Sequence, residues 1–197
     1  MKFRKLNGKL RKQMEAVLDT HRMDHTLGVA YTAAALAFVH DCDLEQAMTA
    51  GMLHDCAKCL SDSEMLSECK RYGIAVSEPE ESEPSLLHAK LGAYYAENRY
   101  GVTDEAVLDA IRCHTTGKPD MNLLEKILFV ADYIEPNRKE LPALDDLRKE
   151  AFTDLDLCVF HILTLTLEYL KEKAKVQDPM TGATLDFYGS LLEKRDN

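Results

Sequence analysis

No stretch of this 197-residue chain reaches 18 uninterrupted apolar residues. The longest candidate, Thr26 to Val39, has the length of one core helix and is too short to cross a bilayer. The basic N-terminal run Met1-Lys2-Phe3-Arg4-Lys5 lacks an apolar segment and a cleavage signature behind it. The expectation is therefore a cytoplasmic protein with no membrane partner. A second cysteine pair is also missing. Cys56-Ala57-Lys58-Cys59 stands alone among six cysteines, without the partner pair of a structural zinc site or the βαβ context of a redox motif. The thiols read as inert groups of a reducing compartment. An excess of positive charge is absent too, since 24 Lys and Arg face 34 Asp and Glu for a net charge of −10. That balance argues against nucleic acid as a partner. It leaves a small anionic substrate open, because bound metal can supply local positive charge.

What is present is a globular composition, 46% hydrophobic and 29% charged, in a chain long enough for a substantial core. Apolar spacing of helical period runs through residues 9–19, 24–40, 43–58, 62–72, 86–100, 104–116, 122–134, 144–152, 155–177 and 185–194. Ser61-x-x-Glu64 and Asn122-x-x-Glu125 look like helix starts, and Gly73 and Gly101 like helix stops. No alternating strand, internal repeat or low-complexity tract interrupts the pattern. The acidic run Ser77-Glu78-Pro79-Glu80-Glu81-Ser82-Glu83-Pro84 reads as a loop, most simply a solvated connection. The expected fold is all-α, one domain over 1–197 with a core at about 20–140 and helices at about 144–194 packed on it.

Six residues carry the chemistry: His25, His54, Asp55, His88, His114 and Asp132. Each lies inside or at the end of an apolar-periodic segment, and imidazole and carboxylate are the usual ligands of divalent Fe, Mn, Co, Ni or Zn. Any one of these histidines alone is better explained as a hydrogen-bonded core residue. Asp132 is harder to explain by packing, because a carboxylate in Leu128-Phe129-Val130-Ala131-Asp132-Tyr133-Ile134 needs a strong partner. His54 and Asp55, about 100° apart on a helix, can face one metal seat, and a carboxylate can bridge two ions. The small residues Gly28 to Ala35 after His25 let another helix come close. His21, His40 and His161 have no such context. Two ions on this ligand set, with a bridging hydroxide, leave a centre of about +1 that favours phosphate and generates a nucleophile near neutral pH. Arg22, Lys58, Lys90, Lys118 and Arg138 lie near the ligand motifs, and Lys58 and Arg138 are the expected phosphate clamp. The turn Thr115-Thr116-Gly117 offers hydroxyls and backbone N–H groups to an anion.

The runs His25-Thr26-Leu27-Gly28-Val29-Ala30, His54-Asp55-Cys56-Ala57-Lys58, Leu87-His88-Ala89-Lys90-Leu91-Gly92-Ala93, His114-Thr115-Thr116-Gly117 and Ala131-Asp132-Tyr133-Ile134-Glu135-Pro136-Asn137-Arg138 resemble the YqeK family of HD-domain hydrolases. The resemblance implies an all-helical HD-domain bundle with a di-metal site, most simply two Fe ions, with Mn or Co as alternatives. It implies symmetrical cleavage of diadenosine tetraphosphate into two ADP, with a dinucleoside polyphosphate or nucleoside diphosphate as ligand. Carried over by position, His25, His54, Asp55 and Asp132 would hold one metal. Asp55, His88 and His114 would hold the second, and Lys58 and Arg138 would meet phosphates. Other readings stay open: another nucleotide as substrate (a monophosphate, a cyclic dinucleotide or an alarmone), a di-iron oxygen chemistry, or a nucleotide-sensing module without turnover. A homodimer is left open among the partner expectations.

Overall fold

The computed structural model describes residues 2–139 and 143–195; positions 1, 140–142 and 196–197 of the expected 1–197 extent lie outside the described residues. The described residues form helices and turns with no strand. In order they are α1 (Lys2–Glu15), α2 (Thr20–Val39), α3 (Leu44–Leu53), α4 (Asp62–Tyr72), α5 (Glu78–Ser82), a 3-10 turn (Pro84–Leu87), α6 (His88–Asn98), α7 (Glu105–Cys113), α8 (Leu123–Ile134), α9 (Leu144–Glu150), α10 (Leu155–Glu172) and α11 (Pro179–Arg195).

Polar residues at the ends set the helix limits. Asp19 accepts the Arg22 N–H and starts α2 one turn ahead of the periodic run that the sequence shows. The reciprocal capping boxes at Ser61/Glu64 and Asn122/Glu125 are both formed, and Gly73 and Gly101 take the left-handed conformation that ends a helix.

Two expected segments come out differently. The helix expected over 43–58 stops at Leu53, and residues 54–60 continue as tight turns with Cys56 N–H to Leu53 O, Lys58 N–H to Asp55 O and Leu60 N–H to Ala57 O. His54 and Asp55 therefore sit at the end of a helix rather than on its side. The run expected as a loop at 77–84 is a short helix followed by a 3-10 turn. Its cause is a third capping box, in which buried Glu80 accepts from the Ser77 N–H at 2.8 Å and from Lys90 Nζ at 2.7 Å.

α3 and α8 are buried on nearly every side and form the centre of the molecule. α2 lies across both, α1 covers α3, and α6 and α7 close the other flank. α10 buries Leu155, Cys158, Val159, Ile162 and Leu163, a helical stripe turned toward α8, and α11 packs on α10. The crossing of α2 and α3 is unusually close. A Cβ on Gly51 would lie 2.7 Å from Ala30 Cα and 3.0 Å from Ala30 N, so only glycine lets these two backbones meet. This contact brings His25 of α2 to His54 at the end of α3.

Two glycine substitutions should therefore act in opposite directions. Alanine gains up to about 1 kcal/mol over glycine inside a helix. Gly182 of α11 has nothing within 4 Å of an added Cβ, so Gly182→Ala should raise the thermal midpoint. Gly51→Ala meets backbone that cannot turn aside, and it should instead lose about 1–3 kcal/mol net. Thermal unfolding followed by circular dichroism reads both; a midpoint for Gly51→Ala at or above the parental value would contradict the close-crossing account.

Candidate metal centre

Three helix ends deliver three of the histidines in the same way. His54 follows α3 and its Nδ1 lies 2.8 Å from Gly51 O. His114 follows α7 with Nδ1 2.7 Å from Ile111 O. His88 opens α6 with Nδ1 2.5 Å from Ser85 O in the 3-10 turn. In each case the imidazole takes the carbonyl three residues earlier, one of the groups a helix or turn end leaves without a main-chain partner. The carbonyl can only accept, so Nδ1 carries the proton and Nε2 presents a lone pair. His25 does the same across the fold, with Nδ1 3.1 Å from Glu135 Oε1.

The four Nε2 atoms converge. His25 and His54 Nε2 are 3.3 Å apart, and His88 and His114 Nε2 are 3.1 Å apart. Lone pairs facing at these distances repel unless a cation lies between them. Asp132 Oδ1 is 3.1 Å from His25 Nε2 and 3.9 Å from His54 Nε2. Asp55 divides its carboxylate. Oδ1 lies 3.3 Å from His88 Nε2 and 3.8 Å from His114 Nε2, while Oδ2 lies 3.7 Å from His54 Nε2 and 4.0 Å from His25 Nε2. An ion about 2.1 Å from each ligand has ligand–ligand edges of about 3.0–3.4 Å, which is the spacing of the closest pairs here. Among the described residues, the overlapping sets His25–His54–Asp55, His54–His114–Asp132 and Asp55–His88–His114 each gather ligand atoms within 4.8 Å. The donor set fits a divalent metal.

The electrostatics agree. Burial pushes the His88 imidazolium down to about 3, helped by the nearby Lys58 charge. Burial and the neighbouring His54 push His114 down to about 4. Both rings are therefore neutral and able to ligate at neutral pH. For Asp55, burial works against ionisation, but the neighbouring His54 and His88 rings and the Lys58 ammonium outweigh it, and the carboxyl is held well below the usual range. At Asp132 burial is likewise overcome, by the His25 ring 3.1 Å away and by His54, His114 and Arg138. Burial lowers Lys58, with Asp55 opposing it.

The flanking residues divide into two groups. Lys58 Nζ lies 3.1–3.2 Å from the His88 ring nitrogens, Arg22 Nη1 3.9 Å from Asp55 Oδ2, and Thr115 Oγ1 3.2 Å from His88 Nε2. Arg138, half-buried with its guanidinium 5.6 Å from the Tyr133 ring centre, is close enough to act on the charge of Asp132. Lys90 and Lys118 are turned away into ion pairs with Glu80 and Glu125, each at 2.7 Å. In the Thr115–Gly117 turn, the Gly117 N–H donates to Cys113 O at 2.8 Å and the Thr116 hydroxyl to Gly117 O at 3.0 Å. Those two donors close the turn after α7 and are engaged within the chain, which leaves the Thr115 hydroxyl facing the centre. His21 is exposed, His40 binds Ala151 O at 2.7 Å and His161 pairs with Glu150 at 2.9 Å.

Glu135 was not singled out from the sequence. It is 1% exposed and meets His25 from behind. The available signal was its position directly after an apolar helix, paired with a glycine at 28 whose missing side chain makes room for it.

The HD domain family model matches residues 22–137. A symmetrical bis(5′-nucleosyl)-tetraphosphatase of Halalkalibacterium halodurans is 40% identical over 185 residues, covering 94% of this chain and 96% of that protein. One of Bacillus subtilis is 41% identical over 170 residues, covering 86% and 90%. A crystal structure from Clostridium acetobutylicum, described as a predicted HD superfamily hydrolase involved in NAD metabolism, superposes with a TM-score of 0.89 at 36% identity, covering 93% and 96%. With its family model spanning both ends of the ligand set and its relatives matched almost end to end, the chain belongs to the HD domain family, among the symmetrical bis(5′-nucleosyl)-tetraphosphatases.

Proposed function

We propose that this protein is a cytoplasmic, metal-dependent hydrolase that cuts diadenosine tetraphosphate at its central anhydride to give two ADP. In this reading the whole chain is one HD unit. One ion would be held by His25, His54, Asp132 and Asp55, the other by His88, His114 and Asp55, with iron the first choice and manganese or cobalt the alternatives. The observation that carries the proposal is the divided Asp55 carboxylate, one oxygen toward each histidine pair. The relatives named symmetrical tetraphosphatases support the substrate. When bound, such a metal pair supplies a hydroxide near neutral pH and polarises phosphoryl oxygens.

The chain's own residues do the rest. Asp55 sets the separation of the two ligand groups. Lys58 and Arg138, joined by Arg22, bring positive charge to the polyphosphate, and the Thr115 hydroxyl offers a further donor. The carbonyls behind the imidazoles keep the rings from turning. Water adds to one of the two inner phosphorus atoms, the bond to the central bridging oxygen breaks, and ADP leaves from each side.

Three outcomes test this. Incubated with diadenosine tetraphosphate, the metal-loaded protein should give ADP alone; AMP plus ATP in quantity would mean attack at another phosphorus. Asp55→Asn should keep its helical circular dichroism, lose metal at one or both positions and turn over at least ~1000-fold more slowly. A folded variant working at the parental rate would remove Asp55 from the mechanism. Arg138→Ala should keep its metal and lose roughly 10- to 1000-fold in kcat/KM, the range for a charge-assisted contact of about 1.5–4 kcal/mol. Unchanged kinetics would put Arg138 outside the phosphate site.

A further inference from the structure

We propose that Glu135 is a positioning carboxylate for His25, and that it makes the His25–His54–Asp132 half of the centre hold its ion more tightly than the His88–His114 half. The ranking of the halves rests on the paired-metal reading above.

The four imidazoles are not equivalent. Three are backed by main-chain carbonyls, whereas His25 alone is backed by a carboxylate. That carboxylate is fixed on every side. Its Oε1 faces His25 Nδ1 at 3.1 Å, and its Oε2 accepts the Asn137 N–H at 2.7 Å. Arg148 donates to Ile134 O at 3.0 Å and Glu135 O at 3.1 Å, which holds the main chain beside it. Asn137 Nδ2 reaches back to Asp24 O at 3.1 Å. On α2, a Cβ at Gly28 would overlap Glu135 Oε2, so any side chain there would displace the carboxylate.

A charge buried to this degree is costly unless its partners answer it. Its hydrogen-bond donors in the structure are one main-chain N–H and the His25 ring N–H. An imidazole whose Nε2 binds a cation has a more acidic Nδ1–H and answers it well, and the anion behind the ring in turn makes the ring a stronger ligand. The other half of the centre is built oppositely. It has one oxygen of Asp55 as its anion, and the Lys58 ammonium lies 3.1–3.2 Å from the His88 ring. The first half meets cations too, with Arg22 Nη1 3.9 Å from Asp55 Oδ2 and Arg138 acting on Asp132. But it sets the Asp132 carboxylate and the Glu135 charge against them, and Coulomb's law then ranks the halves.

If Glu135 were only an anchor for the turn to Asn137, its charge would not reach the ion. The experiment is Mn2+ binding to the metal-free full-length chain, with free Mn2+ read by electron paramagnetic resonance, for parent, Glu135→Gln, Glu135→Ala and Gly28→Ala. The parent should bind two ions with unequal constants. Glu135→Gln keeps the shape but presents one acceptor where two N–H donors converge. It should weaken the tighter constant 10- to 100-fold and change the looser one by less than about twofold, with the metal-free thermal midpoint close to parental. Glu135→Ala should weaken the tighter constant further. Gly28→Ala pushes the carboxylate aside without changing its charge, and should reproduce the loss even if a Glu135 variant fails to fold. An unchanged tighter constant in Glu135→Gln, or an equal fall in both, overturns the inference. One Mn2+ per parental chain overturns the paired-metal reading and the ranking with it, a failure distinguished by its appearance in the parent before any substitution.

Discussion

Two pairs of imidazoles whose Nε2 atoms face each other across little more than 3 Å form an arrangement that a protein must hold by force. Each ring would relax by turning its N–H inward, and each is prevented by an acceptor on its far nitrogen. For His54, His88 and His114 that acceptor is a carbonyl three residues back, so the restraint is built into one turn of chain. It requires the histidine to sit where a helix or a 3-10 turn stops, because the last carbonyls of such an element lack a main-chain donor. The positions of the ends of α3 and α7 and the start of α6 are therefore functional quantities in this fold.

Bringing those ends together is a problem of backbone distance, and glycine meets it at three contacts. Gly51 lets α3 touch the main chain of α2 at Ala30, Gly92 lets α6 approach the His54 carbonyl, and Gly28 leaves the space that Glu135 fills. Small residues bury little area each, so the stability of this region comes from elsewhere. α8 supplies it, with Leu124, Ile127, Leu128, Val130 and Ile134 buried in the centre while Asp132 stands at the edge, half-open toward the ligands. Rigid packing and the site share one helix, which limits how far Asp132 can move.

The six candidate ligands, which the structure brings together, stood out in the sequence because each is a polar residue embedded in an apolar period. The helical class and most helices were legible for the same reason. What periodicity could not show was where a helix yields to turns. Residues 54–58 continue the apolar spacing of α3 while their hydrogen bonds shorten to the three-residue kind. The acidic run at 77–84 looked like a loop by composition, yet Ser77 and Glu80 cap a helix within it. Nor could proximity in sequence tell which cations face the ligands. Lys90 and Lys118 lie as near to ligands in the chain as Lys58 does, but buried Glu80 and Glu125 claim them. Glu135 was hidden because the side chain it meets, His25, lies 110 residues away in sequence.

The net charge of −10 and a proposed polyanionic substrate are reconciled by distance. At physiological ionic strength charges separated by more than about 8 Å in solvent are largely screened. Acidic groups spread over the outer surface therefore act weakly on a small ligand held at the candidate metal centre. Lys58 touches His88, Arg22 lies against Asp55 and Arg138 acts on Asp132, so each contributes within the unscreened range. A long nucleic acid must lie across the acidic surface and meets its repulsion along the whole contact. A short tetraphosphate meets only the few groups at the centre. In the proposed reading, the same charge distribution that admits the small polyanion turns away the large one, and selectivity by size follows from electrostatics before any base is recognised.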